Sequence, residues 1–189
     1  MVNREIVLTR EEIEDICFDI GSKLDTRFIK ENVESPVFIG VLKGSLNFMM
    51  DLIKYITKPI QLDFIQASSY NGTQSSGAVI LKKDISLDIK DKTIVIVEDV
   101  IDTGLTMEYL VGYLKKRYEP KEIIVVSLFD KLFMRKANIH IDYVGKTLDA
   151  DKFLLGYGLD YNELYRNIPY VFNATKAEID YADKITGKK

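Results

Sequence analysis

A run of five β-favouring residues, Thr93-Ile94-Val95-Ile96-Val97, leads into two adjacent carboxylates, Glu98-Asp99, and then into Val100-Ile101-Asp102-Thr103-Gly104-Leu105-Thr106. An uninterrupted run of this kind reads as a strand covered on both faces, as at the centre of a parallel sheet. The acid pair is expected to close the strand, and Met107-Glu108-Tyr109-Leu110-Val111 resumes as helix. A strand, a tight turn and a helix in that order constrain the chain to an α/β fold. At such a turn the first helical N–H groups are unpaired and carry the positive end of the helix dipole. Gly104 lets the backbone approach an anion closely, and Thr103 and Thr106 add hydroxyl donors. The result is an anion site beyond the C-terminal end of a parallel strand, where open α/β sheets bind ligands. Glu98 and Asp99 do not suit a phosphate; they suit sugar hydroxyls or a hard divalent cation. A ligand carrying both a phosphate and a ribose would satisfy the whole stretch. The same residues also fit an ordinary βα connection with Asp102 as helix cap.

The flanking chain repeats the alternation. Thr9-Arg10-Glu11-Glu12 reads as a capping box, and Ile13, Ile16, Cys17, Ile20 and Leu24 follow at helical spacing. Cys17 on that stripe reads as a packed thiol. Val37-Phe38-Ile39-Gly40-Val41-Leu42 reads as a second buried strand. Lys43-Gly44-Ser45 then forms another anion-suited turn, with Ser45 placed to cap a helix patterned on Leu46, Met49, Met50 and Ile53. Residues 61–66 read as a strand with Leu62 and Phe64 packing, and residues 79–81 as its return. The polar stretch between them cannot pack as core; it is either a solvated hairpin loop or a lid that excludes water. Residues 82–92 read as a charged connector, 122–129 as a further buried strand with Lys131 and Arg135 just past its end, and 139–145 as a short strand. His140 has no second histidine for a metal pair and reads as structural or surface. Residues 174–189 read as a polar helix with a frayed end.

Taken together, Val97-Glu98-Asp99-Val100-Ile101-Asp102-Thr103-Gly104-Leu105-Thr106 resembles the phosphoribosyl-pyrophosphate signature of the type I phosphoribosyltransferases, and the Glu-Asp pair with Asp-Thr-Gly resembles the 6-oxopurine (hypoxanthine-guanine) branch. Leu42-Lys43-Gly44-Ser45 is similar to that family's pyrophosphate loop, Ser69-Tyr70 to the dipeptide of its mobile loop, and Lys131 to its purine-contacting lysine. Asp151-Lys152-Phe153-Leu154-Leu155-Gly156-Tyr157-Gly158-Leu159-Asp160-Tyr161-Asn162-Glu163-Leu164-Tyr165-Arg166-Asn167 resembles its base-binding hood. The likeness covers roughly residues 37–170.

The resemblance implies an α/β fold with a parallel-sheet core flanked by helices and a small hood. It implies transfer of a phosphoribosyl group from phosphoribosyl pyrophosphate to N9 of hypoxanthine or guanine, with Mg²⁺ as cofactor. The site it implies is Glu98, Asp99, Asp102, Thr103, Gly104, Leu105 and Thr106 around the phosphoribosyl group, with Asp102 catalytic. Lys43, Gly44 and Arg166 would meet pyrophosphate, after a peptide that is often cis on entering the lysine. Lys131, Phe153, Leu154 and Asp160 would meet the purine, and Glu98, Asp99 and Asp160 the metal. One departure stands out. The family carries Gly-aromatic-acid-Ile-Pro-Asp before the stacking aromatic, whereas this chain has Gly145-Lys146-Thr147-Leu148-Asp149-Ala150-Asp151, one residue longer and lacking the proline and the aromatic.

At 189 residues one domain is expected, with a core of about 9–145 and a hood of about 146–189 plus the N-terminal segment. The net charge of −3 lacks the basic surplus of a nucleic-acid binder. One cysteine excludes an intrachain disulfide, and no apolar run reaches membrane-spanning length. The expected partners are therefore small molecules, with neither nucleic acid nor membrane, in the cytoplasm; the resemblance implies a homodimer or homotetramer. Two rivals stay open: a sister enzyme for xanthine or another base, and a regulator that senses phosphoribosyl pyrophosphate while binding nucleic acid.

Overall fold

The computed structural model describes residues 4–69 and 79–187. Its main sheet has six strands in the order β4-β3-β2-β5-β6-β7. These are β2 (Val37–Val41), β3 (Gln61–Ser69), β4 (Val79–Lys83), β5 (Thr93–Ile101), β6 (Glu122–Asp130) and β7 (Tyr143–Thr147). Every pairing is parallel except β3 with β4. The helices are α1 (Arg10–Lys30), α2 (Leu46–Leu52), α3 (Leu105–Tyr118) and α4 (Lys176–Thr186). A second sheet of three strands, β1-β9-β8, joins β1 (Glu5–Leu8) to β9 (Val171–Asn173) and β8 (Leu154–Leu155). This is the expected α/β architecture.

Two apolar layers cover the main sheet. Alternate residues of β5 divide between them: Val95 and Val97 point into the layer under α1 and α2, Ile94 and Ile96 into the layer under α3. Val7, Leu154 and Val171 of the small sheet join the first layer, so the hood is seated on the core by shared apolar packing. The Thr9 capping box is present, and of the predicted stripe Ile13, Cys17, Ile20 and Leu24 are buried while Ile16 is only partly so. Burial pushes the Cys17 thiol up to about 12, which leaves it protonated and inert at neutral pH.

Several local expectations are corrected. β5 runs on through the acid pair to Ile101, and α3 begins at Leu105 rather than Met107. The inward face of α2 is Phe48, Met49 and Leu52, whereas Leu46 and Met50 are exposed. Ser45 does not cap α2; its buried hydroxyl donates to the Val41 carbonyl at 2.6 Å. Residues 139–142 lie outside β7. Ile139 and Ile141 pack against the α3 layer, and Asp142 accepts the Val125 N–H at 2.8 Å. His140 is exposed. On β3, Leu62 is exposed while Asp63 and Ile65 are buried.

Asp63 explains the connector. One of its oxygens accepts the N–H groups of Ser86 (2.6 Å) and Leu87 (2.9 Å) and the Ser86 hydroxyl (3.0 Å), and the other accepts the Phe64 N–H. Residues 84–89 are thereby drawn down, and Ile85 and Ile89 enter the core. Burial alone would raise the Asp63 pKa, but these hydrogen bonds outweigh it and hold the carboxyl at about 2. A depressed carboxylate adds stability above its unfolded pKa, and that stability is lost as pH falls through the folded value. Asp63→Asn should therefore cost roughly 2 kcal/mol at neutral pH. In urea unfolding the gap from wild type should narrow between about pH 4 and pH 2; a gap independent of pH would remove the carboxylate charge from the account.

Candidate active site

The C-terminal ends of β2 and β5 and the first turn of α3 enclose a cavity of about 370 Å³. Its walls include Gly44, Glu98, Asp99, Asp102 and the whole turn Thr103-Gly104-Leu105-Thr106, closed at the side by Val41, Ala67 and Val79. The turn has the geometry of an anion cradle. Gly104, not Asp102, is the N-cap of α3, with φ of 80° and no side-chain cap. The Asp102 carboxylate is therefore free of the capping role. Gly104 also lacks room for a larger residue, since a methyl there would lie 3.0 Å from Arg135 Nη1 and 3.1 Å from Ile139. The segment after β6 braces the turn: Lys131 N–H donates to Ile101 O (3.0 Å), and the N–H groups of Lys136 and Ala137 donate to Thr103 O (2.9 and 3.0 Å). Arg135 is anchored by an ion pair to Asp130.

Lys131, which stands outside the cavity lining, reaches back to the acidic turn. Its Nζ lies 3.1 Å from Asp102 Oδ1 and 3.7 Å from Asp151 Oδ1. Asp151 stands two residues before Phe153, so one lysine links the acidic turn to the entry of the hood. Phe153 is half-exposed and meets Tyr161 edge-on at 5.6 Å, which leaves ring surface available. Its neighbour Leu154 is buried in β8, with only main chain to offer a ligand.

The Leu42–Lys43 peptide is cis, as the resemblance implies. Gly44 next to it is hemmed in on two sides: a methyl would collide with the Asp99 carboxylate, and its carbonyl abuts Gly158 of the hood. Lys43 and Arg166 are brought together by a residue the sequence reading passed over. Glu163 sits 3.1 Å from Lys43 Nζ and 3.0 Å from Arg166 Nη2. Asp160 accepts the Glu163 N–H (2.8 Å) and pairs with Arg166 (2.8 Å). Asp160 is thus committed within the hood and does not join Glu98 and Asp99 in a metal-sized cluster; no such group of three occurs among the described residues. Ser69 ends β3, and Tyr70 lies outside the described residues. A second hollow, of about 470 Å³, lies between α1, α2 and the hood and is lined by Cys17, Tyr55 and Tyr157. It has no anion-suited turn, and chemistry therefore points to the smaller cavity.

Electrostatically, the cavity is acidic. Burial raises the Glu98 pKa well above the carboxylate range, and the neighbouring Asp99 charge adds to the shift. Among the described residues neither Glu98 nor Asp99 has an ion-pair partner, since Lys131 pairs with Asp102. Two adjacent carboxyls with no ion-pair partner, one of them held toward its neutral form, would gain from a hard divalent cation. A carboxyl whose folded pKa is raised costs stability as pH climbs past its unfolded value. In metal-free protein Glu98→Gln should therefore raise the melting temperature by a few degrees at pH 7–8. The gain should shrink toward pH 4, where both forms are neutral, and on addition of Mg²⁺; thermal melts across that range check it.

Comparison with known proteins agrees with this geometry. Residues 7–162 match the phosphoribosyl transferase domain model. The chain is 43% identical over 170 residues to the hypoxanthine-guanine phosphoribosyltransferase of Staphylococcus aureus, covering 89% of this chain and 92% of that protein. It is 44% identical over 168 residues to that of Bacillus subtilis, covering 88% and 91%. Among solved structures, the hypoxanthine phosphoribosyl transferase of Trypanosoma cruzi superimposes with a TM-score of 0.87 at 30% identity, covering 98% of each chain. With a matching domain model, relatives along most of the length and the cradle of β5 and α3 in place, the chain belongs to the phosphoribosyltransferase family, on the hypoxanthine-guanine branch.

Proposed function

We propose that this protein transfers the 5-phosphoribosyl group of phosphoribosyl pyrophosphate to N9 of hypoxanthine or guanine, giving IMP or GMP and pyrophosphate in purine salvage. The observation that carries this reading is Lys131, which bridges the Asp102 carboxylate and the hood two residues before Phe153. It supports a flat base lying close to the phosphate cradle, although Lys131 and Phe153 stand outside the lining of the 370 Å³ cavity. The relatives named above are hypoxanthine-guanine enzymes, which favours these bases over xanthine.

The demands of the reaction divide among the residues. The 5′-phosphate sits on the N–H groups and hydroxyls of residues 102–106. The ribose hydroxyls face Glu98 and Asp99, the pair suited to hold Mg²⁺; when bound, the metal supplies positive charge to the leaving pyrophosphate. Lys43 and Arg166 receive that pyrophosphate as the C1′–O bond breaks. Purine N9 forms the new bond to C1′, and Asp102 exchanges the proton at N7. Phe153 stacks on the base, the Leu154 main chain and Asp160 meet its edge, and Lys131 donates to the 6-oxo group. A closing loop at Ser69-Tyr70 would keep water from the oxocarbenium-like carbon. We further propose one folded unit, with a core of about 9–145 capped by residues 146–189 and the N-terminal segment. It would act in the cytoplasm as a homodimer or homotetramer on small molecules, with no nucleic-acid partner. Among the described residues no helix is long and apolar enough to cross a membrane.

The direct test is Mg²⁺-dependent release of pyrophosphate with hypoxanthine, guanine and xanthine in turn. Asp102→Asn should lower kcat by about 10²-fold or more while phosphoribosyl pyrophosphate still binds. Equal losses in turnover and binding would mark Asp102 as structural. Lys131→Ala should raise the purine KM by roughly tenfold or more. Because Lys131 also pairs with Asp102, the double variant should show less than the sum of the two effects. An unchanged purine KM would take Lys131 out of the base site.

A further inference from the structure

The two cations assigned above to pyrophosphate are not idle. Glu163 offers one carboxylate oxygen to Lys43 Nζ at 3.1 Å and the other to Arg166, whose Nη2 and Nε lie at 3.0 and 3.3 Å. The carboxylate therefore spans the gap between a lysine on the β2–α2 loop and an arginine of the hood. An anion bridging both would use the same two groups.

The backbone is built to hold it there. Asn162, Glu163 and Tyr165 all have positive φ, of 50°, 67° and 78°. Glutamate has no intrinsic preference for that region, where glycine or asparagine is cheaper by about 1 kcal/mol. The turn is fixed by Glu163 N–H donating to Asp160 (2.8 Å) and by paired main-chain bonds between Tyr161 and Leu164 (3.1 and 3.3 Å). Arg166 is fixed independently by Asp160 and by donation to the Gly158 carbonyl at 2.6 Å. Glu163 is thus not needed to hold Arg166 in place.

We propose that Glu163 is a resident competitor of pyrophosphate: it occupies Lys43 and Arg166 when the anion is absent, must be displaced for the anion to bind, and returns to assist its release. The inference rests on the assignment of Lys43 and Arg166 to pyrophosphate. Its balance of strengths is suited to exchange. Glu163 and Lys43 are more than half exposed, at 58% and 52%, so their ion pair is worth little in water. Pyrophosphate brings more charge and more acceptor oxygens, and it wins when present. The Arg166 guanidinium, with Lys43, holds the Glu163 carboxyl below its ordinary range, so the competitor stays ionised at working pH.

The test is calorimetric titration of inorganic pyrophosphate with Mg²⁺ into wild type, Glu163→Gln, Glu163→Asp and Lys43→Ala. Removing the charge should tighten pyrophosphate binding about three- to tenfold, the scale of one or two exposed ion pairs. It should also strengthen product inhibition by pyrophosphate. Glu163→Asp keeps the charge and should bind within about twofold of wild type. If Lys43→Ala weakens binding while Glu163→Gln binds no tighter than wild type, the competitor role is overturned and the site assignment survives. If Lys43→Ala has no effect, the assignment and the inference fall together.

Discussion

The arrangement depends on a contact in which no side chain of the central residue takes part. Gly44 lies with the Asp99 carboxylate against one side and Gly158 against its carbonyl on the other. Through it, the end of β5, the loop after β2 and the hood meet within a single residue's width. A side chain at Gly44 would drive into the Asp99 carboxylate, and one at Gly158 would meet the Gly44 carbonyl, so it takes both glycines for the acidic strand end, the cation loop and the hood to close together. The chemistry needs them together, because a sugar, its leaving group and the incoming base must share one space.

Around that contact, charges are distributed so that the ligands complete them. Glu98 and Asp99 lie side by side near the end of β5, and burial, with the Asp99 charge added to it, raises the Glu98 pKa. The N-terminal turn of α3 presents main-chain donors that have no intrahelical acceptor. Lys131, by contrast, is already paired with Asp102, which keeps both side chains aimed at the same spot. Stability given up at the acid pair is offset elsewhere, in the apolar layers on both faces of β5 and in the hydrogen-bonded Asp63.

The sequence made local features readable and left convergent ones hidden. The cradle was legible because strand, acid pair, turn and helix are consecutive, and each has its own chemical signature. The α1 stripe and the buried strands β2, β5 and β6 were legible from long, uniform patterns. The faces of α2 and β3 were not. Leu46, Met50 and Leu62 are apolar yet exposed, and only the packing of neighbouring elements decides which side turns inward. The charged connector concealed Ile85 and Ile89, whose burial depends on Asp63 from a distant strand. In the site, nothing in the spacing of Glu163 and Asp151 within the hood run marks them out. Their contacts with Lys43 and Lys131 exist only once the hood has folded over the loops.

The small sheet has a consequence for the order in which the molecule is made. Among the described residues β1 pairs only with β9, where the Glu5 carboxylate accepts from Asn173, 168 residues further along. At ordinary translation rates those two segments leave the ribosome roughly 10–30 s apart. For that interval the nascent chain can complete its six-stranded sheet and the cradle of α3, while the strand that seats the hood has nothing to pair with. The half of the site proposed to hold phosphate can thus take shape on the ribosome before the half proposed to grip a base, whose strands come later in the chain.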